Sequence, residues 1–190
     1  GLESRIAAGT QTLTGTRFFH TEPHHDDIML GYLPYVVRHV RDTSNAHYFA
    51  CMTSGFTAVT NDYFRSLLLS ARRRLYSREF DALDAEGYFR PDNASGRQRD
   101  IWEYLDGVAA GNEDMTDDGT CRRTLRNLAA VYGKTDRPGL EKNIAELVEY
   151  LDSAYPGQKD PPDIQTLKGM CREWEAECLW GYFGWNCENV

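Results

Sequence analysis

Apolar and polar residues along the first third of the chain predict a strand, a helix and a second strand. A short aromatic run that ends at Pro23 predicts a strand over residues 16–21. A β-prone stretch over residues 46–53 predicts the second strand, which stops at a Thr-Ser-Gly turn. Between them lies a helix-like apolar series: Ile28, Leu30, Leu33, Val36, Val37 and Val40. The strands are expected to be parallel, because a helical crossover of this length joins parallel strands into a βαβ unit.

Pro34 lies inside this apolar series. A helix that begins near Asp27 would place Pro34 beyond its first turn, where proline removes a backbone hydrogen bond. The sequence therefore predicts a kink at this point.

The remaining two-thirds of the chain is dominated by helical patterns separated by turn residues. Helices are predicted over residues 62–86, 97–110, 119–132, 140–154 and 163–183. The last joint, at residues 155–162, contains Pro156 and the pair Pro161-Pro162.

These patterns predict an α/β chain with three parts. Residues 1–15 are interpreted as a linker or the remnant of a preceding domain, because the Thr- and Gly-rich stretch over residues 10–16 shows no helical or alternating pattern. Residues 16–60 form a Rossmann-like βαβ unit, and residues 61–190 form a mostly helical region of the same domain. Because only two strands are found, the sheet is expected to be incomplete in this sequence.

Composition excludes several classes of protein. The 190 residues are 41% hydrophobic and carry a formal net charge of −8, and they contain no apolar run typical of a membrane span. An acidic chain lacks the basic surface that nucleic-acid phosphates require, so neither nucleic acid nor membrane is an expected partner. The five cysteines form no CxxC pair and indicate reduced thiols in a cytoplasmic protein.

The densest group of metal-binding side chains is the motif Pro-His-His-Asp-Asp at residues 23–27, directly after the first predicted strand. His24 and Asp27 are candidate ligands of zinc or another divalent metal, since a turn into a helix can direct both at one ion. Asp26 is the candidate general base toward a water molecule. Alternatively, the two aspartates only cap a helix and the histidines lie on the surface of a polar turn.

This motif resembles the (A/P)HPDD signature of the LmbE/PIG-L family of metal-dependent N-acetylglucosaminyl deacetylases, which have a Rossmann-like α/β fold. The resemblance implies that His24 and Asp27 bind the metal and that Asp26 is the catalytic base. It also implies a hydrolase that removes an acetyl group from an N-acetyl amino sugar or an amino-sugar phosphate. Weak candidates for substrate binding come from a turn that resembles the one after the family's second strand: Thr53, Ser54 and Gly55.

The resemblance is closest to the deacetylase-like half of bacterial two-domain proteins that carry a glucosamine-6-phosphate deaminase/isomerase-type domain ahead of it. A fused or associated sugar-phosphate isomerase domain is therefore an expected partner, and the sequence is expected to be a fragment. The sequence departs from the family at His25, which replaces a proline, and at Ile28, which replaces a glutamate. The family's third metal ligand is a downstream histidine, whereas no histidine follows His47. Metal binding is expected to be weak or absent unless a further ligand is supplied.

Arginines concentrate on the helix predicted over residues 62–86. Arg65 and Arg72 among them are weak candidates for binding the phosphate or carboxylate of a sugar ligand. The alternative is a solvated helix face whose arginines pair with neighbouring acids.

Several further residues are assigned to structure rather than chemistry. Cys171 and Cys178, seven residues apart, and Cys51 in the second strand are expected in the core. His39 and His47 are expected on the surface. Aromatic residues near the end of the chain are also expected in the core, although a homo-oligomer interface is compatible with them: Trp174, Tyr182, Phe183 and Trp185.

Two other functions stay open. His25 and Asp26 form an HD dyad of the type that helical metal-dependent phosphohydrolases use, although those ligands lie on helices. In the other alternative, the chain is a non-catalytic deacetylase-like module. Such a module would act as a scaffold or regulator in a glucosamine-6-phosphate isomerase/deaminase-type protein.

Overall fold

A computed structural model describes residues 1–155 and 157–190, so Pro156 of the predicted joint lies outside the described residues. The described chain is mostly helical with a small parallel sheet, as the sequence predicts. It divides into a first unit, Gly1–Thr53 with Asn189–Val190, and a second unit, Ser54–Glu188. Among the described residues, no helix combines the length and the hydropathy that crossing a bilayer requires.

The first unit contains the predicted βαβ arrangement. Its elements in chain order are helix α1 (Leu2–Thr10), strand β1 (Arg17–Glu22), helix α2 (Asp27–Gly31), helix α3 (Leu33–Val40) and strand β2 (Ala46–Cys51). The strands pair in parallel, from Arg17 opposite Ala46 to Glu22 opposite Cys51. The parallel pairing is confirmed. A wider Rossmann-like sheet stays a prediction, because the described residues form these two strands.

Helix α1 occupies a segment in which the sequence predicts no helix. Every residue of α1 is exposed, so the helix has no buried face. A helix without a buried face leaves no apolar period in the sequence, which is the signal on which the prediction depends. The interpretation of residues 1–15 as a linker or the remnant of a preceding domain stays a prediction.

Pro34 breaks the predicted helix into two. Helix α2 ends at Gly31, and Pro34 lies in the first turn of α3, where a missing backbone N–H costs little. The helix that follows the Pro-His-His-Asp-Asp motif is therefore only five residues long. A helix this short is not stable by itself, so contacts from outside it must hold it in place.

The inward face of the sheet carries a stack of aromatic rings. His20 and His47 lie in its centre, with ring planes 10° apart and centroids separated by 5.3 Å. Phe18 stacks on His47 at 4.7 Å, and Phe49 stacks on His20 at 4.9 Å. Nε2 of His20 is 3.0 Å from Nδ1 of His47, so one ring donates a hydrogen bond to the other.

The placement of His39 and His47 on the surface is wrong. Both side chains are buried, because hydrogen bonds inside the unit replace water: Nδ1 of His39 lies 2.8 Å from the carbonyl oxygen of Tyr35, and His47 pairs with His20. Cys51, expected in the core, is exposed at the last position of β2.

The histidine pair makes the stability of the first unit depend on pH. Burial, together with the neighbouring rings of His47 and His39, lowers the pKa of His20 to about 4. In the unfolded chain a histidine titrates near pH 6.5, so between about pH 6.5 and 4 only the unfolded state takes up this proton. Stability is therefore expected to fall as the pH falls through this window, by up to about 1.4 kcal/mol per pH unit.

Two measurements check this prediction. Titration of the His20 ring followed by NMR is expected to give a pKa near 4. Amide exchange in β1 and β2, corrected for its intrinsic pH dependence, is expected to rise in the same window. A His20 ring that titrates at the ordinary histidine value would contradict the prediction.

The second unit is helical. Its helices are α4 (Asn61–Arg74), α5 (Arg78–Ala85), α6 (Ala94–Ala110), α7 (Glu113–Tyr132), α8 (Arg137–Ser153) and α9 (Pro162–Tyr182). The helix predicted over residues 62–86 is in fact two helices. Ser77 separates them, because its hydroxyl accepts a hydrogen bond from the backbone N–H of Phe80 and caps α5.

The apolar core of this unit is built around α4, α7 and α8. Its fully buried side chains include Leu68, Leu125, Leu128, Leu140 and Ile144. Helices α6 and α7 approach each other closely because a glycine lies at the contact. A Cβ atom on Gly119 would be 2.6 Å from the backbone nitrogen of Tyr104, so any larger residue there would force the helices apart.

The assignments near the end of the chain are partly confirmed. Trp174, Cys171 and Cys178 are buried. Burial raises the pKa of Cys171 to about 12, so its thiol is not a nucleophile near neutral pH. The assignment of Tyr182 to the core is wrong, because this last residue of α9 is 74% exposed. Phe183 and Trp185 are half-buried.

A buried ionic network connects α6, α7 and α9. Asp100 is completely buried and accepts hydrogen bonds from Tyr88 Oη at 2.6 Å and from Arg126 Nε at 2.8 Å. Arg123 contacts both Asp100 and Glu177, and Glu177 is 1% exposed. Each buried charge therefore has an opposite charge beside it, as burial of ions requires.

Replacement of Asp100 is expected to destabilise the second unit strongly. Asp100→Ala leaves the Arg126 guanidinium buried without its carboxylate, which costs about 3–5 kcal/mol for groups of this kind. Asp92→Ala is the matched control, because Asp92 pairs with Arg90 on the surface, and the expected loss is below about 1 kcal/mol. Denaturant unfolding followed by tryptophan fluorescence measures both, since the four tryptophans of the chain lie in this unit. Equal losses of stability in the two variants would refute the stabilising role of the buried pair between Asp100 and Arg126.

Candidate functional site

The Pro-His-His-Asp-Asp motif forms a tight turn directly after β1. Two hydrogen bonds join its ends: the backbone N–H of His24 donates to Oδ2 of Asp27 at 2.8 Å, and that of Asp27 donates to the carbonyl oxygen of His24 at 3.2 Å. Nδ1 of His24 is 3.9 Å from Oδ2 of Asp27, and both side chains are about half exposed. The structure thus brings the two predicted metal ligands together at the carboxyl end of β1.

Helix capping does not account for both aspartates of the motif. Asp26 occupies the N-cap position of α2, yet its side chain makes no capping hydrogen bond. The carboxylate of Asp27 points back to His24 rather than to the helix N–H groups. Asp26 is exposed, so its carboxylate is accessible to water and to a ligand.

The pair His24 and Asp27 fits two ligand positions of a divalent ion. At zinc–ligand bonds of about 2.1 Å, two donors on a tetrahedral ion lie about 3.4 Å apart, so a small side-chain rotation would let both contact one ion. A catalytic zinc site usually has three protein ligands. Within residues 1–155 and 157–190, no three His, Cys, Asp or Glu side chains are gathered in a way that could hold a metal.

Thr53, the first residue of the turn after β2, lies beside the motif turn. Thr53 Oγ1 donates a hydrogen bond to the carbonyl oxygen of Pro23 at 2.8 Å, and the backbone N–H of Met52 donates to that of Glu22 at 2.8 Å. Thr53 therefore anchors the start of the motif. Ser54 and Gly55 belong to the second unit, where Gly55 has a left-handed φ of 60° before a short 3-10 turn, Phe56–Ala58. A role of these three residues in substrate binding stays a prediction.

Arg65 and Arg72 lie on α4 in the second unit and are paired with acids. Arg65 Nε is 2.6 Å from Oδ1 of Asp152, and Arg72 Nη2 is 3.3 Å from Oε1 of Glu141. All four side chains are partly exposed, as the solvated-face alternative predicts. Their role toward a sugar ligand stays a prediction.

Glu22, which the sequence analysis does not single out, is a buried carboxylate next to the motif. It is the last residue of β1, is 2% exposed, and accepts a hydrogen bond from the backbone N–H of Ile28 at 3.4 Å. The sequence signal is alternation, because Phe18, His20 and Glu22 all lie on the inward face of the strand. Tyr32 is another missed residue: its hydroxyl is 3.3 Å from Nδ1 of His20, and burial and the charge of Glu22 raise its pKa.

Comparisons with protein-family models, with curated sequences and with solved structures find no match to this chain.

Proposed function

We propose that the first unit carries a deacetylase-type, metal-dependent hydrolase site that acts on an N-acetyl amino sugar or an amino-sugar phosphate. In this proposal His24 and Asp27 are two ligands of zinc or another divalent metal, and Asp26 is the general base. The observation that supports it is the convergence of His24 and Asp27 at the carboxyl end of β1. The carboxyl ends of parallel strands are where α/β proteins bind their ligands.

Each residue has a defined role in the proposed site. The exposed Asp26 carboxylate takes a proton from the water that attacks the amide carbonyl of the substrate. The C–N bond then breaks, acetate is released, and the proton held by Asp26 passes to the leaving amine. A bound divalent ion would supply Lewis-acid polarisation of that carbonyl. Full coordination requires a third ligand in addition to His24 and Asp27.

The HD-type phosphohydrolase is disfavoured by the local structure. The ligands of such enzymes lie on helices, whereas strand β1 leads directly into the turn that contains His25 and Asp26.

A non-catalytic deacetylase-like module is the second candidate function. The observation that favours it is that the described residues contain no group of three potential metal ligands. In this alternative the unit acts as a scaffold or regulator of a fused or associated glucosamine-6-phosphate deaminase/isomerase-type domain. Both candidates place the protein in amino-sugar metabolism, as the resemblance to LmbE/PIG-L proteins implies. The five cysteines without a CxxC pair favour a cytoplasmic location.

Zinc binding distinguishes the two candidates. The chain is expected to bind Zn²⁺ weakly, at one ion per chain, and His24→Ala and Asp27→Ala are each expected to weaken binding at least about tenfold because each removes a direct ligand. Isothermal titration with the 190-residue chain measures this affinity. Asp92→Ala, which removes an exposed carboxylate elsewhere, is the matched control and is expected to bind as the unmodified chain does.

His25→Ala is a second control, because His25 is adjacent to His24 and two residues from Asp27 in the sequence. Its affinity is expected to stay close to that of the unmodified chain. If the unmodified chain binds no zinc, or if His24→Ala and Asp27→Ala bind as it does, the hydrolase proposal fails and the scaffold becomes the better account.

A further inference from the structure

The motif turn depends on contacts outside itself for its position. Helix α2, into which it leads, is five residues long, and the turn contains no residue of the sheet. The contacts of the residues that flank the turn therefore determine the positions of His24 and Asp27.

The start of the turn is held by the end of β2. Hydrogen bonds from Met52 N–H to the carbonyl oxygen of Glu22 and from Thr53 Oγ1 to that of Pro23 continue the pairing of the two strands past their last residues. The main chain at Glu22 is thus fixed on one side of the motif.

The far end of the turn is held by the Glu22 side chain. Its Oε2 accepts from the backbone N–H of Ile28, six residues further along the chain, and Ile28 itself is 1% exposed. The carboxylate of Asp27 spans the same turn in the opposite direction, since it accepts from the N–H of His24. The segment that carries both proposed ligands is therefore held by a carboxylate at each end. Asp27 binds the N–H of His24 at its start, and Glu22 binds the N–H of Ile28 at its end.

We propose that Glu22 is a positioning residue that fixes the motif turn and thereby holds His24 and Asp27 in the geometry that binds a divalent metal. Glu22 acts on the two ligands indirectly, through its hydrogen bond with the backbone N–H of Ile28. The inference rests on the proposed function. Outer groups that orient metal ligands typically contribute about 10- to 100-fold to metal affinity.

The first test needs no metal. In Glu22→Ala, amide exchange at His24 and Ile28 is expected to rise about fivefold or more, since the backbone bond to Ile28 is lost and the turn loosens. Glu22→Gln keeps an oxygen acceptor of the same length and is expected to restore most of the protection. Glu3→Ala, which removes an exposed glutamate of α1, is the matched control. If Glu22→Ala lowered the exchange protection of all amides of β1 and β2 equally, the result would indicate general destabilisation and would overturn the positioning role.

The second test is a Zn²⁺ titration of the same variants against a chromogenic chelator. Glu22→Ala is expected to bind zinc about tenfold or more weakly, and Glu22→Gln is expected to bind close to the unmodified chain. Absence of zinc binding in the unmodified chain would overturn the proposed function and this inference with it. Intact zinc binding in the unmodified chain, with unchanged amide exchange and unchanged affinity in Glu22→Ala, would overturn this inference alone.

Discussion

The parallel pairing of β1 with β2 determines where the candidate site stands. It aligns the last residues of the two strands, so the motif turn and the turn at Thr53 leave the sheet at the same edge. The pairing also brings His20 opposite Phe49 and Phe18 opposite His47, which builds the ring stack on the inward face. The strand pairing and the ring stack therefore support one another.

The two units solve the burial of polar groups in different ways. In the first unit, neutral imidazoles pair with each other, because a shared hydrogen bond between His20 and His47 needs no charge. In the second unit, Asp100 and Glu177 stay buried as ion pairs with arginines of α6 and α7. The first arrangement is sensitive to mild acid, whereas the second is sensitive to the loss of one partner.

The sequence predicts the strands and most helices well, because apolar periodicity reports directly which face of an element is buried. The prediction of buried positions fails where the buried side chains are polar. His39, His47 and Glu22 count as polar in any pattern, and only their partners in the folded chain make burial favourable. Helix α1 is missed for the opposite reason, because it buries no side chain and so leaves no apolar pattern. For the candidate site, the motif predicts His24, Asp26 and Asp27, but no short-range pattern shows that Glu22 reaches Ile28.

The central claim is that His24 and Asp27 hold one divalent ion at the carboxyl end of β1. Its most direct test is anomalous diffraction at the zinc edge from crystals of the chain grown with Zn²⁺. The account predicts an anomalous peak within coordinating distance of both His24 and Asp27, about 2.1 Å from each donor atom. The account would be contradicted if, at saturating zinc, anomalous density lay only at other residues. In that case the turn from His24 to Asp27 would keep its geometry and hold no metal.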